Sequence, residues 1–117
     1  KRDIVKYIRD KAKNKYQKDS KCYICGVETQ LDFHHYYTLA PLVHKWLREN
    51  NLDPKYILAI REDFIEEHHD ELYVHTVTLC HNHHRQLHKV YGRDPGLGTV
   101  HKQKRWVEIQ REKHGMV

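Results

Sequence analysis

The sequence predicts an α+β fold in which one metal ion closes a two-stranded hairpin flanked by helices. Cys22 and Cys25 form one pair of ligand-type residues, and Cys80 and His83 form a second pair with the same spacing. Structural zinc is usually held in a tetrahedron by two ligands from each of two tight turns. The two pairs bracket both predicted strands, so they predict a structural Zn²⁺ site at the base of the hairpin. Two further histidines close to His83 leave the fourth ligand open, and three metal-free thiols are the alternative.

The first half of the chain contains three predicted helices and one predicted strand. Apolar residues recur every four positions in residues 3–18, up to Tyr16, which predicts a basic amphipathic helix. Aromatic residues predict a strand over residues 30–37, and apolar residues at helical spacing predict a helix over residues 39–50. Asp53 and Pro54 are good first residues for another helix, which extends to about His68. The last two helices form an insertion with a small core of its own: Trp46, Ile57, Ile60 and Phe64.

The second half contains one predicted strand and two predicted helices. Residues 72–80 are rich in β-branched side chains and predict the second strand. Asn82 is expected to cap a short helix that Gly92 ends, and Thr99 to cap a last, basic helix. We therefore expect one domain over residues 1–117. Its parts are an N-terminal basic helix (1–20), a core (22–90) with a helical insertion at about 39–71, and a C-terminal basic helix (99–114).

The charge of the chain is unevenly distributed. The net charge is +5 overall, made up of +6 in residues 1–21, −6 in residues 22–80 and +5 in residues 81–117. Basic ends favour a polyanion such as nucleic acid, although lysines on helices can also be simple solvated faces. The acidic insertion either faces a partner or clamps the basic terminal helices. We see no membrane-spanning segment or secretory signal, and metal-type cysteines fit an intracellular setting.

Several histidines remain outside the predicted zinc site. On a helix, His84 and His88 lie on one face and can reach one ion, whereas His83 points roughly 100° away from His84. One helix can therefore carry ligands for two sites. His34 and His35 are neighbours in a strand and normally face opposite sides. Both can serve one site only if the strand ends there.

These motifs resemble those of the HNH endonucleases over roughly residues 22–90, in the order CYIC, LDFHHYY, HTVTLC and HHRQLH. The resemblance implies a ββα-metal fold, in which a hairpin and a helix hold one divalent cation at the scissile phosphate of DNA. It implies His34 and His84 as ligands of that cation, His88 as a further ligand, and His35 as the general base that activates water. The products would carry a 5′-phosphate and a 3′-hydroxyl. The family commonly works in phage, mobile-element and restriction systems.

The resemblance also covers the zinc set, in which His83 stands where many members have a cysteine. One position departs from the family pattern, because the place of the family's asparagine holds His75. We expect His75 to take over the role of holding the hairpin and the base by hydrogen bonds. Nitrogen ligands favour Zn²⁺, Ni²⁺, Co²⁺ or Mn²⁺ at the catalytic position, and Mg²⁺ can act while keeping most of its water shell.

Basic side chains on the last two helices are expected to contact DNA phosphates, which positions the strand without reading its sequence. They are Arg85, Lys89, Lys102, Lys104 and Arg105. No recognition module that would set a cleavage sequence is visible. Two other functions stay open: a zinc-stabilised DNA-binding module that does not cut, and the same chemistry on RNA. One such site cuts one strand, so double-strand cleavage would need a homodimer or two successive nicks. Association with another domain or protein also stays open.

Overall fold

A two-stranded antiparallel sheet lies between the helices. Strand β1 is Leu31–His35 and strand β2 is Thr76–Cys80, with Leu31 paired to Cys80 and His35 to Thr76. The computed structural model describes residues 3–116, except for the side chain of Ile57. Most of the remaining chain is helical. The predicted α+β class is therefore confirmed, although both strands are shorter than predicted.

A wide, π-helical turn shortens the second strand. Residues Asp70–Val74 form a π-helical turn, and the His75 N–H donates to the Asp70 carbonyl at 2.8 Å. The strand therefore begins only at Thr76. The Tyr36 N–H donates to the His75 carbonyl at 3.2 Å, which extends the hairpin pairing by one step beyond His35. The chain leaves the sheet there, so β1 ends at the paired histidines.

Five α-helices accompany the hairpin within residues 3–116. They are α1 (Ile4–Ala12), α2 (Leu39–Glu49), α3 (Ile57–Glu67), α4 (His81–Tyr91) and α5 (Val100–Lys113). Short 3₁₀ turns occur at Lys13–Lys15, Pro54–Tyr56 and Leu97–Thr99. The last turn lies directly before α5, and Thr99 occupies the predicted N-cap position of that helix. Its hydroxyl donates to the Gly96 carbonyl at 2.6 Å, so the side chain does not cap the N–H groups of α5.

The first helix ends earlier than predicted. The Asp3 side chain accepts hydrogen bonds from the Val5 and Lys6 N–H groups and begins α1, which stops at Ala12. Tyr16 has an extended backbone (φ −69°, ψ 132°), and its ring stacks on Phe33 at 4.6 Å between centroids. The prediction of a helix through Tyr16 was wrong, because this residue packs against the hairpin and not along the face of α1.

The cap of α4 also differs from the prediction. Cys80 is the N-cap, and its Sγ accepts a hydrogen bond from the His83 N–H at 3.5 Å. Asn82 lies inside the helix, so its predicted capping role was wrong. Strand β2 runs directly into α4 with no loop between them. The helix ends at Gly92 (φ 90°), as predicted, because glycine adopts this left-handed backbone without steric cost.

One hydrophobic core joins α1 to the inserted helices α2 and α3. Phe64 is completely buried and lies edge-to-face against Trp46 at 5.2 Å, and Ile60 is partly buried against the same cluster. The predicted Ile57 contribution lies outside the described side chains. Lys11 pairs with Glu62 at 3.5 Å on the surface. The acidic insertion thus packs on the basic N-terminal helix.

A second core holds the hairpin, the Cys22–Cys25 turn, α4 and α5 together. Its completely buried side chains include Ile24, Leu79, Leu87 and Val107. The Arg111 guanidinium donates to the Tyr23 carbonyl and lies over the Tyr23 ring. Helix α5 is thereby attached to the turn that carries the first two cysteines. Every helix within residues 3–116 is too short or too polar to cross a bilayer.

Replacing Phe64 with alanine tests the first core. Loss of this completely buried ring should lower the free energy of unfolding by about 3–5 kcal/mol, because a cavity remains. Leu58→Ala on the same helix is the matched control, since Leu58 is 69% exposed, and it should change stability by less than about 0.5 kcal/mol. Urea unfolding of the two variants measures both values. Equal small losses would contradict the described packing.

Candidate active site and metal centres

The four residues of the predicted zinc site converge in space. The Cys25 and Cys80 sulfurs are 3.9 Å apart, and His83 Nδ1 lies 3.3 Å from the Cys80 sulfur and 4.0 Å from that of Cys22. A tetrahedral zinc ion would separate two sulfurs by about 3.8 Å and a sulfur from a nitrogen by about 3.6 Å. The donor set therefore fits a zinc ion, with His83 as the fourth donor.

The thiols of this cluster sit in different surroundings. Burial by itself raises the pKa of Cys22, but backbone N–H groups of Cys80, Cys25 and Ile24 outweigh it and lower the pKa. Burial raises the pKa of the Cys80 thiol to about 11. The N–H groups around Cys22 favour its thiolate, which is the form that binds metal.

A second group of ligand atoms converges on the other face of α4. His34 Nδ1 lies 3.2 Å from His84 Nε2, and His88 Nε2 lies 3.0 Å from the same atom. Two donor nitrogens on one metal ion are about 2.9–3.4 Å apart when each metal–nitrogen bond is about 2.0–2.1 Å. The spacing of the three nitrogens therefore matches a shared ion.

The hydrogen bonds of Gln103 determine which nitrogen of His34 is free. The Gln103 Nε2 group donates to the Tyr36 carbonyl at 3.2 Å and to Thr99 Oγ1 at 2.9 Å, so its Oε1 faces His34. His34 Nε2 is 2.8 Å from that oxygen and must donate to it. Because burial lowers the pKa of His34 to about 3, the ring is neutral at pH 7. Its Nδ1 therefore carries a lone pair towards His84.

The other two rings are oriented in the same way. His84 Nδ1 donates to the Asp32 carboxylate at 3.1 Å, and His88 Nδ1 donates to the Gly92 carbonyl at 2.8 Å. Burial lowers the pKa of His84, which favours its neutral ring. Because each Nδ1–H donates to an outer acceptor, the neutral form of either ring carries its lone pair on the inner Nε2. Each of the three imidazoles has an outer acceptor and an inner lone pair, which is the arrangement typical of metal-bound histidine.

Asp32 links this group to a further histidine. Its carboxylate also accepts from His81 Nδ1 at 3.2 Å. Burial alone would raise the pKa of Asp32, but the hydrogen bonds from His84 and His81 outweigh it and lower the pKa. The carboxylate is therefore ionised at neutral pH and holds the His84 ring in place.

His35 points to a different hydrogen-bond partner from its neighbour His34. Its Nε2 lies 2.9 Å from the Leu72 carbonyl and must carry the hydrogen, since a carbonyl only accepts. Burial lowers the pKa of His35 to about 4, so the ring is neutral at pH 7. Nδ1 is then the nitrogen that can accept a proton.

One open cavity of about 280 Å³ is lined by four of these histidines, His34, His35, His84 and His88. Its other walls are Arg9, Tyr16, Phe33, Thr38 and Leu39. The hydroxyls of Tyr16 and Thr38 are buried and have no hydrogen-bond partner in the described part of the chain.

The structure does not bring His75 to this cavity. His75 Nδ1 accepts from the Lys104 ammonium at 3.2 Å, its ring lies near Tyr37, and it lines a separate cavity of about 350 Å³. Its backbone carbonyl, and not its ring, completes the hairpin. The Leu72 carbonyl holds His35 instead. The catalytic role predicted for His75 therefore receives no support from its position.

The predicted DNA-contacting residues divide into two groups. Lys104 is partly buried and engaged with His75. The other four are exposed on α4 and α5, as a phosphate-contacting surface requires. They are Arg85, Lys89, Lys102 and Arg105.

Sequence reasoning missed the residues that orient the three rings. Gln103 lies on α5, outside the HNH-like segment, and no spacing rule connects it with His34. Asp32 stands two residues before His34 on the same strand, and that alternation was a usable signal because residues i and i+2 share a face. The Gly92 carbonyl was not predictable beyond its place at the end of the helix.

The fold and its two clusters define a small α+β protein with two groups of side chains that could hold metal ions. A model of the nicking endonuclease family, of the phage T5 type, matches residues 1–116. The chain therefore belongs to the nicking endonuclease family, a family of enzymes that cleave DNA. No solved structure matches the chain.

Substitution of Gln103 tests how the three rings are oriented. Gln103→Met keeps the approximate volume but removes the acceptor for His34 Nε2–H, so Mn²⁺ or Co²⁺ should bind the histidine cluster about 10–100-fold more weakly. Gln103→Glu keeps an acceptor and should retain more of the affinity. Isothermal titration of the zinc-loaded protein measures the affinities. Unchanged binding by Gln103→Met would contradict the orienting role.

Proposed function

We propose that this protein is an HNH-type nicking endonuclease with a ββα-metal core, formed by β1, β2 and α4. The observation that carries the proposal is the convergence of three imidazole lone pairs in the cavity that His35 also lines. Membership of the nicking endonuclease family supports DNA as the substrate and one strand as the target. A structural role alone would not require a second cluster beside the zinc-type one.

The three histidines would hold the catalytic cation. His34 comes from the end of β1, and His84 and His88 come from one face of α4. When bound, a divalent cation polarises the phosphate and stabilises the developing charge on the leaving 3′ oxygen. Three nitrogen donors favour Mn²⁺, Co²⁺, Ni²⁺ or Zn²⁺ over Mg²⁺.

His35 would act as the general base. Its Nε2–H is held by the Leu72 carbonyl, which leaves Nδ1 to take a proton from the attacking water. The water oxygen forms a bond to phosphorus while the bond from phosphorus to the 3′ oxygen breaks, and the leaving 3′ oxygen takes a proton from solvent water. The products are then a 5′-phosphate and a 3′-hydroxyl. The Leu72 carbonyl, which lies in the π-helical turn, would thus orient the base, a role that was predicted for His75.

Basic side chains would hold the DNA backbone on both sides of the cavity. Arg9 lines the cavity itself and is exposed, so its guanidinium can contact the scissile phosphate or its neighbour. Arg85, Lys89, Lys102 and Arg105 supply further positive charge from α4 and α5. Cys22, Cys25, Cys80 and His83 would hold structural zinc and fix α4 relative to the hairpin.

A plasmid assay tests the proposed role of His35. Wild-type protein with Mn²⁺, Co²⁺ or Ni²⁺ should convert supercoiled plasmid to nicked circles whose ends a DNA ligase can rejoin, and Mg²⁺ should support slower nicking. His35→Ala should lower the rate by about 10²–10⁴-fold, the usual contribution of a general base. Gel separation of the plasmid forms measures the rates.

His44→Ala is the matched control, because His44 is an exposed histidine on α2 away from the cavity. It should nick at the wild-type rate, and all variants should retain their zinc and their circular dichroism spectrum. If wild type binds plasmid but cuts it with none of these ions, the nuclease proposal fails. If His35→Ala nicks as fast as wild type, the assignment of the base is wrong.

A further inference from the structure

A second groove adjoins the histidine cavity and shares one wall with it. It has a volume of about 560 Å³ and is lined by the segment that follows α1 and by the π-helical turn region. Tyr16 lines both the groove and the histidine cavity. The two spaces are therefore neighbours, and a strand whose phosphate lies at the histidine cluster can reach the groove by passing Tyr16.

The groove contains the groups that recognise a nucleotide. Asn14 and Gln17 offer amide donors and acceptors, as base edges require, and Lys15 offers a charge for a phosphate. All three belong to the exposed segment between α1 and the Cys22–Cys25 turn. This segment is not helical beyond the 3₁₀ turn Lys13–Lys15, and its side chains at Asn14, Lys15 and Gln17 all line the groove.

Aromatic rings and the side chain of Val74 form the rest of the groove. Tyr73 and His69 lie with their ring centroids 5.2 Å apart, and Tyr16 lies 5.9 Å from Tyr73. His69 is exposed, so its ring is open to stacking. Proteins that bind unpaired or splayed nucleotides combine such stacking surfaces with positive charge. The volume also lies within the range of about 300–1,000 Å³ that small-ligand sites occupy.

We propose that this groove binds a nucleotide of the cut strand next to the scissile phosphate, and that Asn14 and Gln17 read its base. The inference rests on the proposed function, because the histidine cavity must hold the scissile phosphate. It supplies a source of cleavage specificity that lies outside the HNH-like segment. The non-helical segment that follows α1 thereby becomes part of the substrate site.

The test is the base preference of the protein on duplexes with randomised positions around the nick. Wild type should prefer one base by about five-fold or more at one flanking position, since a good amide–base pair discriminates to that extent. The double variant Asn14→Ala/Gln17→Ala should lose this preference while it still nicks. Lys15→Gln should weaken binding for all sequences and lower the slope of log affinity against log salt by about 0.9.

Lys45→Gln is the matched control, because Lys45 is an exposed lysine on the inserted helix α2, away from the groove. It should change neither base preference nor salt dependence. If wild type nicks and the double variant keeps the same preference at every position, the groove proposal is overturned while the nuclease proposal stands.

A binding experiment separates the two proposals further. Duplexes selected by binding, without added divalent ion, report base preference whether or not the protein cuts. If no ion supports nicking but the double variant loses a preference seen in binding, the groove is a nucleotide site and the proposed nuclease function fails. If neither nicking nor binding shows a preference that depends on Asn14 and Gln17, the groove does not read a base.

Discussion

The rotation of about 100° between successive residues of α4 is the constraint on which the rest of the structure depends. His83 faces the three cysteines, and the next residue, His84, faces His34 and His88 on the other side of the helix. Because Cys80 ends β2 and also caps α4, no loop separates the hairpin from this helix. A zinc ion held by the cysteines and His83 would thus fix the angle at which the second cluster meets β1.

Helix α5 connects the two clusters from outside the hairpin. Gln103 near its beginning holds His34, while Arg111 near its end holds Tyr23 in the turn between Cys22 and Cys25. The helix also buries Val107 against the second core. A shift of α5 would therefore disturb both clusters at once. With two small cores and a charged content of 32%, the chain has little other apolar packing to resist such a shift.

Predictions that rest on interactions between residues close in sequence were more accurate than predictions that depend on distant packing. Ligand pairs within one turn and histidines four apart on a helix are local, so the zinc-type cluster and the His84–His88 pair could be predicted from spacing. His34 was added to that pair through the family resemblance. The end of α1, the π-helical turn before β2 and the contacts of Gln103 depend on distant packing, and the sequence did not reveal them. His75 was assigned by analogy with a family position. The carbonyl of Leu72, which no side-chain pattern can encode, holds the His35 ring instead.

Titration of the metal-free protein with Co²⁺ tests the central claim of two separate metal centres most directly. We expect two equivalents to bind. One should give the intense absorption of cobalt bound to thiolates, and the other only weak bands from nitrogen ligands, because soft and borderline donors are segregated between the clusters. The variant His34→Ala/His84→Ala should lose only the weak bands. Saturation at one equivalent, or loss of the thiolate absorption in that variant, would contradict the account.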